Sequence, residues 1–386
     1  MGPRVRGDDD AAWDKQHRSE LIVRRFQPTT AGRRGLRAAP RRDARHRHCA
    51  ERSDEAIQAD HGNPVGPWWA WLADTPAGVH SWRPSRNEEE LAMVTIGFIG
   101  LGVMGEPMCR NLARKSGATV WGFDRAEAPL HRLAEVGVIR AASLAELARE
   151  ADVIFMALPS GKHVQAVCDG DDGLLRHVEA RHTIVDLGTS PVQTTQELAA
   201  RFAANGAAYA DAPIARTRQA AEDGTLSVMV GADAATFERL RPLIAMFATD
   251  ITHCGGVGAG QIVKILNNMV LMQTVVALGE ALETAKRAGL DPKLLFETLA
   301  KGSADSFALR NHGMKAMLPD TYPERAFSTE YARKDIGYAL DLARSVQIDL
   351  PGAELADRRL GEAIEAGYGD LYWPVLARVI AASRKA

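Results

Sequence analysis

The chain has few cysteines, which form disulfide frameworks and zinc sites, and it lacks the long apolar run of a membrane span. Its 386 residues include only four cysteines, which are Cys49, Cys109, Cys168 and Cys254. They lie far apart, without a CxxC pair or a histidine at ligand spacing, so neither a disulfide framework nor a zinc site is indicated. No apolar run reaches the roughly eighteen residues of a membrane span. We therefore expect a cytoplasmic protein with no bound metal and no membrane partner.

An excess of charge of one sign is also missing. Lysine and arginine number 47, aspartate and glutamate number 49, and the formal net charge is −2. A near-neutral chain has no bulk attraction to a polyanion. We therefore expect no nucleic-acid partner, and the length is that of about two domains.

Residues 1–92 lack apolar periodicity and are almost free of lysine. They contain fifteen arginines, one lysine, fourteen acidic residues and five of the seven tryptophans. The early acids Asp8, Asp9 and Asp10 argue against a transit peptide. The interleaved acids also offset the charge that a basic nucleic-acid-binding arm would need. We interpret residues 1–92 as a disordered extension, translated from leader sequence upstream of a natural start at Met93.

Residues 96–125 carry the most informative pattern in the chain. The apolar run 96–99 predicts a buried parallel strand that leads directly into a glycine-rich turn. The first glycine permits the tight turn, the second lets the backbone approach a pyrophosphate, and the third lets the next helix pack on the strand. The predicted phosphate-binding loop consists of Gly100, Leu101, Gly102, Val103, Met104 and Gly105.

The elements after this loop indicate what it binds. A helix from Glu106 onward directs its free N–H groups and its positive dipole end towards phosphates. A second apolar strand, Thr119–Phe123, ends in Asp124, where an acidic residue hydrogen-bonds the adenosine ribose. Asp124 favours the free 2′-hydroxyl of NAD, whereas the adjacent Arg125 is able to pair with the 2′-phosphate of NADP. We predict a dinucleotide site that prefers NAD, with NADP as the alternative.

Helical and apolar segments alternate after Asp124 and then give way to helices alone. The alternation predicts an α/β fold of the Rossmann type, with a doubly wound and mainly parallel sheet. Strand signals stop past Gly260, where residues 261–287 form a long helix that is apolar on nearly every face. We predict a Rossmann domain over 93–256 and an all-α C-terminal domain over 257–386, joined by this interdomain helix. Subunits of a homodimer or homotetramer are expected to meet at the helical domain.

Two predicted loops face the same cleft. In doubly wound sheets the ligand lies at the carboxyl ends of the strands. This rule places Leu158, Pro159 and Ser160, after one apolar strand, along the cofactor cleft, together with Thr189 and Ser190 after the next. The alternative is that both are ordinary connections between strands and helices.

The long helix carries one charged residue between Gly260 and Glu280, which is Lys264. A lysine on such a helix either extends to solvent or lines a cleft. Asn268 lies one turn further on the same face. Partial burial lowers the pKa of a lysine towards neutrality, where it exchanges a proton with a carbonyl or hydroxyl oxygen. A hydride transfer between a hydroxyl and a carbonyl group needs such a proton donor and acceptor.

Four stretches of the sequence together are typical of one enzyme family. They are GFIGLGVMGEPM, Asp211-Ala212-Pro213 with Gly224-Thr225-Leu226, GGVGAGQIVKILNN, and Phe327 with Lys334-Asp335. On these stretches the sequence from Met93 to its end resembles the β-hydroxyacid dehydrogenase family, of which 3-hydroxyisobutyrate dehydrogenases are the best-known members. The resemblance implies that Lys264 is the general acid/base and that Asn268 orients it and contacts the substrate. It also implies that Lys334 approaches the nicotinamide end of the cleft, the alternative being a solvated Lys334–Asp335 pair.

The sequence departs from the family in two loops. Where the family usually has Ser-Gly-Gly to hold the substrate carboxylate, this chain has Ala215, Arg216 and Thr217. Arg216 is able to clamp a carboxylate, sulfonate or phosphonate, and its loop resembles the Gly-Arg-Thr loop of sulfolactaldehyde reductases. The alternative is that Arg216 points to solvent. The second departure is Gly188, which replaces a serine ahead of Thr189.

These features together predict an NAD(P)-dependent oxidoreductase that interconverts a small 3-hydroxy acid and its semialdehyde. The substrate is expected to be anionic, with Ala215, Arg216, Thr217 and Thr189 as contacts to its charged end. Rival substrates within the family are tartronate semialdehyde, succinic semialdehyde and sulfolactaldehyde. A different class of function, a catalytically inactive scaffold with a nucleic-acid-binding arm, is disfavoured by the intact Lys264 and Asn268.

Overall fold

The computed structural model describes residues 94–324 and 326–383. The expectations for residues 1–92, including the disordered extension, the natural start at Met93 and Cys49, lie outside these residues. The described chain consists of a sheet with helices on both faces, followed by a bundle of helices.

The first strand, loop, helix and second strand follow the sequence prediction closely. Strand β1 spans Thr95–Ile99, helix α1 spans Gly105–Lys115 and strand β2 spans Thr119–Phe123. Strands β1 and β2 pair in parallel, with Ile99 opposite Phe123. The glycine-rich loop therefore leaves the sheet at its carboxyl edge, next to the residue that follows β2.

Within residues 94–324 and 326–383 the sheet has nine strands in the order β3-β2-β1-β4-β5-β6-β8-β7, and β9 pairs with β8. Pairing is parallel except where β8 meets β6 and β7, so the predicted mainly parallel sheet is confirmed. The chain order reverses between β1 and β4, which is where ligands bind in such sheets. The remaining strands are β3 Ile139–Arg140, β4 Val153–Met156, β5 Thr183–Asp186, β6 Ala208–Asp211, β7 Ile214–Ala215, β8 Leu226–Gly231 and β9 Ala248–Gly255.

Helices cover both faces of the sheet, so its central strands are buried. Phe98 of β1 stacks on Phe155 of β4, which meets Phe247 edge to face with ring centroids 6.0 Å apart. The helices of this part, after α1, are α2 Glu127–Ala134, α3 Leu144–Glu150, α4 Gly161–Asp169, α5 Val192–Ala204, α6 Arg218–Asp223 and α7 Ala234–Ile244.

The rest of the chain is helical and packs around one long helix, α8, which spans Ala259–Arg287. Among the described helices, α8 is the one long and apolar enough to cross a membrane, but its residues Met272 and Val275 lie fully buried in a shared core with Phe296 and Trp373. It is therefore the central helix of this bundle. The other helices are α9 Pro292–Leu299, the π-helical Leu309–Met317, α10 Thr329–Ser345, α11 Pro351–Ala363 and α12 Leu376–Ala382.

Two strands were not predicted. Strand β7 has two residues, and β9 is largely exposed with the polar sequence ATDITHCG. Neither shows the apolar run or the strict alternation that identifies a strand from sequence. Helix α8 also begins two residues before the predicted start at Gln261.

Candidate active site

The glycine-rich loop between β1 and α1 has the geometry of a phosphate-binding turn. Gly100 adopts a φ of +88°, and its N–H donates to Phe123 O of the neighbouring strand. A Cβ at Gly105 would lie 1.9 Å from Gly100 O, so only glycine allows α1 to start so close to the turn. A Cβ at Gly102 would meet nothing within 4 Å. The space above the exposed Gly102 and Val103 is thus open to a diphosphate, and the loop fits a dinucleotide.

Asp124, the predicted ribose ligand, lies directly after β2 and braces this loop. Its Oδ2 accepts from Leu101 N at 2.6 Å and its Oδ1 accepts from Ala126 N at 2.7 Å. Its neighbour Arg125 is exposed, and Met104 is half-buried. The loop and the acidic residue are thus brought together as the sequence predicts.

An acidic residue in the first turn of α1, Glu106, is neutralised by two arginines. Its carboxylate accepts from Arg132 at 2.7 Å and from Arg110 at 2.6 Å. The hydrogen bond from Arg132, with smaller contributions from both positive charges, holds the pKa of Glu106 below its usual value. The phosphate-binding end of α1 therefore carries no unpaired negative charge from this residue.

The loop after β4 touches the helical part of the chain. Pro159 O accepts a hydrogen bond from Lys334 Nζ at 3.1 Å. Ser160, which precedes α4, lies 2.8 Å from His163 Nδ1 through its hydroxyl. Leu158 packs partly buried beside the sheet core. The contact between Lys334 and Pro159 places α10 over the carboxyl edge of β4. This position is the one expected for Lys334 near the cofactor cleft.

The loop after β5 lies against the loop after β4, and the departure at Gly188 has a steric reason. A Cβ at Gly188 would lie 2.9 Å from Leu158 O and 3.2 Å from Asp186 Oδ1. The serine that the family usually has here would push the two loops apart. Thr189 follows on this loop and is half-buried at the same edge of the sheet.

Lys264 lies in the second turn of α8 and is half-buried. Burial lowers the pKa of Lys264, the negative charge of Asp335 partly opposes this shift, and the positive charge of Lys334 adds to it. Among the described residues, no side-chain hydrogen bond contributes to its pKa. Lys264 is therefore a cation with a weakened hold on its proton.

Asn268, one turn further along α8, is buried and belongs to a chain of polar contacts. Its Nδ2 donates to Asp335 Oδ2 at 2.7 Å, and its Oδ1 accepts from Asn267 Nδ2 at 3.1 Å. Lys334 Nζ lies 2.9 Å from the other oxygen of Asp335. The chain Asn268–Asp335–Lys334 thus links the middle of α8 to the Pro159 carbonyl.

The Lys334–Asp335 pair is not a solvated surface pair. The side chain of Asp335 is 3% exposed and that of Lys334 is 23% exposed. The ammonium group of Lys334 also lies about 5 Å from the ring centres of Tyr331 and Tyr338, which is a cation–π geometry. Sequence reasoning did not anticipate that Asp335 is the partner of Asn268, because the two are 67 positions apart.

In the predicted substrate loop, the Arg216 guanidinium is bonded to other residues of the protein and is not free to clamp an anion. Its Nη1 donates to Thr225 O and Thr249 Oγ1, and its Nη2 lies 2.5 Å from Asp250 Oδ2. Arg216 has a φ of +88°, a conformation that favours glycine, which the resemblance gives as the usual residue here. Thr217 accepts from Ala220 N and caps α6. The backbone of this turn therefore has a glycine-type conformation, while the guanidinium is engaged at the edge of the sheet.

Comparison with known proteins identifies the family. Residues 95–256 match the family model of the NAD binding domain of 6-phosphogluconate dehydrogenase, and residues 258–379 match the model described as NAD-binding of NADP-dependent 3-hydroxyisobutyrate dehydrogenase. A 2-(hydroxymethyl)glutarate dehydrogenase of Eubacterium barkeri is 35% identical over 280 residues, which are 72% of this chain and 92% of that protein. A 3-hydroxyisobutyrate dehydrogenase of Pseudomonas aeruginosa is 36% identical over 272 residues, which are 68% of this chain and 90% of that protein.

The chain belongs to the β-hydroxyacid dehydrogenase family. A solved structure of Mycobacterium tuberculosis 3-hydroxyisobutyrate dehydrogenase with L-serine superposes on it with a TM-score of 0.68 and 32% identity, covering 75% of this chain and 99% of that one. The predicted family, the Rossmann-type fold with a helical C-terminal part and the nicotinamide cofactor are thus confirmed. The enzyme is an NAD(P)-dependent oxidoreductase that acts on the CH–OH group of a small hydroxy acid.

Proposed function

We propose that this dehydrogenase interconverts the primary hydroxyl of a small 3-hydroxy acid and the corresponding semialdehyde, with Lys264 as general acid/base. The observation that carries the proposal is the position of Lys264. It is a half-buried lysine of lowered pKa on the helix that starts at the carboxyl edge of the sheet. That edge also carries the phosphate-binding loop.

The nicotinamide, when bound, supplies the hydride chemistry. Lys264 donates a proton to the carbonyl oxygen during reduction and removes the hydroxyl proton during oxidation. Asn268 orients the lysine and contacts the substrate oxygen. Asp335 fixes Asn268, because its carboxylate accepts the Asn268 amide at 2.7 Å. Lysine catalysis of this kind contributes about 100- to 10,000-fold to the rate.

The residues that would hold the cofactor lie along the carboxyl edge of the sheet. NAD is proposed as the preferred form, and the support is that Asp124 directly follows β2, as the acidic residue that hydrogen-bonds the ribose does in Rossmann folds. The exposed Arg125 is the feature that would accommodate NADP. The proposed cofactor-binding residues are Gly100, Leu101, Gly102, Val103, Met104, Gly105, Asp124, Arg125, Leu158, Pro159, Ser160, Thr189 and Lys334.

The anionic end of the substrate is proposed to bind to the loop of Ala215, Arg216 and Thr217. We favour the main-chain N–H groups of this turn as the donors. The support is that the guanidinium of Arg216 is occupied by Asp250 and Thr225 O, while the backbone retains the glycine-type conformation. Candidate substrates are 3-hydroxyisobutyrate, tartronate semialdehyde, succinic semialdehyde and sulfolactaldehyde.

The enzyme is further proposed to be a cytoplasmic homodimer or homotetramer. The three described cysteines are free thiols, which suits a reducing compartment. Val263, Leu266 and Val270 are exposed along one side of α8, and Phe307 is exposed beyond them. Exposed apolar side chains that follow one another in this way favour a subunit interface. Light scattering after size-exclusion chromatography measures the subunit number.

The proposal is tested by assaying the four substrates and their alcohol or aldehyde partners with NAD(H) and NADP(H). Lys264→Ala is expected to lower kcat/KM by about 100-fold or more. Lys286→Ala, which removes an exposed lysine from the same helix, is the matched control and should retain wild-type activity. A Lys264→Ala variant with kcat/KM within about threefold of wild type would refute the role of the lysine.

A further inference from the structure

Two buried aspartates lie side by side at the carboxyl edge of the sheet. Asp186 is the last residue of β5, Asp211 is the last residue of β6, and the two are register partners. Both are 0% exposed. Buried carboxyl groups are tolerated when hydrogen-bond donors satisfy their oxygens. The groups that donate to each aspartate therefore show which part of the chain it holds in place.

Asp186 holds the loop that follows its own strand. Its Oδ1 accepts from Gly188 N at 2.9 Å, and its Oδ2 accepts from the Ser190 hydroxyl at 2.7 Å. These donors stand on either side of Thr189, the residue proposed to contact the cofactor. The conformation of this loop is therefore fixed from the sheet side.

Asp211 holds the start of α8. Its Oδ1 accepts from Gly258 N at 2.6 Å, and its Oδ2 accepts from Gln261 N at 2.7 Å. A Cβ at Gly260 would lie 2.3 Å from Met229 O, so the helix start rests directly on the sheet. The first turn of α8 is thus held against the sheet by Asp211 and by close packing at Gly260.

Gln261 joins these two fixed elements. Its Oε1 accepts from Ser190 N at 3.0 Å, and its Nε2 donates to Gly188 O at 2.8 Å. The side chain is 0% exposed, and both polar atoms of its amide are used on the main chain of one loop. Lys264 comes three residues later, on the neighbouring turn of the same helix face.

We propose that Gln261 is a positioning residue, which holds Thr189 in register with Lys264 through its two hydrogen bonds to the loop. This inference rests on the proposed function of Lys264. A neutral amide suits the task, because it presents an acceptor to one main-chain group and a donor to the other. An apolar side chain would leave Ser190 N and Gly188 O without partners, which is costly for buried groups.

Two variants of the full chain separate this role from a general loss of stability. Gln261→Met keeps the length of the side chain and removes both hydrogen bonds. Gln261→Glu keeps an acceptor for Ser190 N and, as a carboxylate, loses the donor to Gly188 O. Gln193→Met is the matched control, because Gln193 is exposed and bonds only to Glu197 within α5.

The first readout is amide hydrogen exchange of the cofactor-free enzyme. Loss of one hydrogen bond of ordinary strength is expected to accelerate exchange at Ser190 by up to about tenfold in Gln261→Met. Exchange at Ser190 should stay near the wild-type rate in Gln261→Glu and in Gln193→Met. Unchanged exchange in Gln261→Met would overturn the proposal, because the contact would then not exist in solution.

The second readout is steady-state kinetics on the substrate that the wild type turns over. A lost positioning contact is expected to lower kcat by about tenfold or more in Gln261→Met while KM stays within about threefold. Gln261→Glu should lie between this variant and the wild type. Faster exchange with an unchanged kcat would overturn the proposal. A wild type that turns over none of the substrates would instead refute the proposed function, and the exchange result would still show whether the contact forms.

Discussion

Arg216 adopts a glycine-type conformation, and this predicts an order of stability for two simple variants. Arg216→Gly and Arg216→Ala both remove the guanidinium and its contacts with Thr225, Thr249 and Asp250. They differ only in the Cβ that Arg216→Ala keeps at a φ of +88°. The comparison therefore isolates the cost of a side chain in the left-handed region.

The size of the difference follows from two opposing terms. A Cβ in the left-handed region is unfavourable by about 1–2 kcal/mol. Glycine loses more conformational freedom on folding, which offsets about 0.4–1 kcal/mol of that gain. Arg216→Gly should therefore be the more stable variant by roughly 0.5–1 kcal/mol. For a chain of this size the two melting temperatures should differ by only about 1–2 °C.

The same variants test how the substrate anion binds. If the main-chain N–H groups hold the anion, KM for the substrate stays within about threefold of wild type in Arg216→Gly. If the guanidinium leaves Asp250 to clamp the anion, both variants raise KM by about tenfold or more. Urea unfolding gives the order of stability, and initial-rate measurements at saturating cofactor give KM.

Two results would refute this reasoning. A greater stability of Arg216→Ala than of Arg216→Gly would show that residue 216 does not occupy the left-handed region in solution. A large rise in KM in both variants would show that the arginine side chain, rather than the backbone of the turn, recognises the substrate.

Two further predictions concern buried groups at the carboxyl edge of the sheet. Gly105→Ala places a Cβ 1.9 Å from Gly100 O. We therefore expect the free energy of unfolding in urea to fall by about 1–3 kcal/mol and NADH to bind more weakly. The control Gly337→Ala adds a Cβ with no neighbour within 4 Å and should not destabilise the protein. Burial raises the pKa of Asp186 to about 7. Between pH 4 and 7 the folded protein therefore holds a proton on Asp186 that the unfolded chain releases. The stabilisation by the protonated Asp186 is present below pH 4 and is lost as the pH rises through 7. The variant Asp186→Asn cannot ionise, so unfolding measured from pH 4 to 8 should depend less on pH than in wild type, and an unchanged dependence would contradict the assignment.

The sequence was sufficient to predict the elements that are determined by residues close to one another in the chain. Strand β2 was predicted with its observed bounds, and the loop from Gly100 to Gly105 lies where the spacing of its glycines indicates. A buried parallel strand is a continuous apolar run, and a tight turn needs glycine, so both leave a mark within a few residues. Strand β9 lies at the edge of the sheet and leaves no such mark.

The polar contacts of the site were not predictable in the same way. Gln261 bonds to residues 71 and 73 positions away, and Asn268 bonds to Asp335 over 67 positions. No periodicity records such pairs, because they depend on how the first turns of α8 rest on the sheet. The Arg216 contacts are a further case, since the sequence left both a clamp and a solvated side chain open. The structure shows an exposed guanidinium that is paired at the surface with the exposed Asp250.

Helix α8 acts mechanically as a rod that is anchored at one end. Asp211 and the close contact at Gly260 fix its start, and Lys264 lies only about 8 Å along the axis, whereas Arg287 lies about 42 Å from the start. When such a rod tilts about its anchored end, displacement grows in proportion to distance along the axis. A tilt of the helix about its start would therefore move Arg287 about five times as far as Lys264. The proton-transferring group lies near the pivot, where deformation of the rest of the molecule disturbs it least.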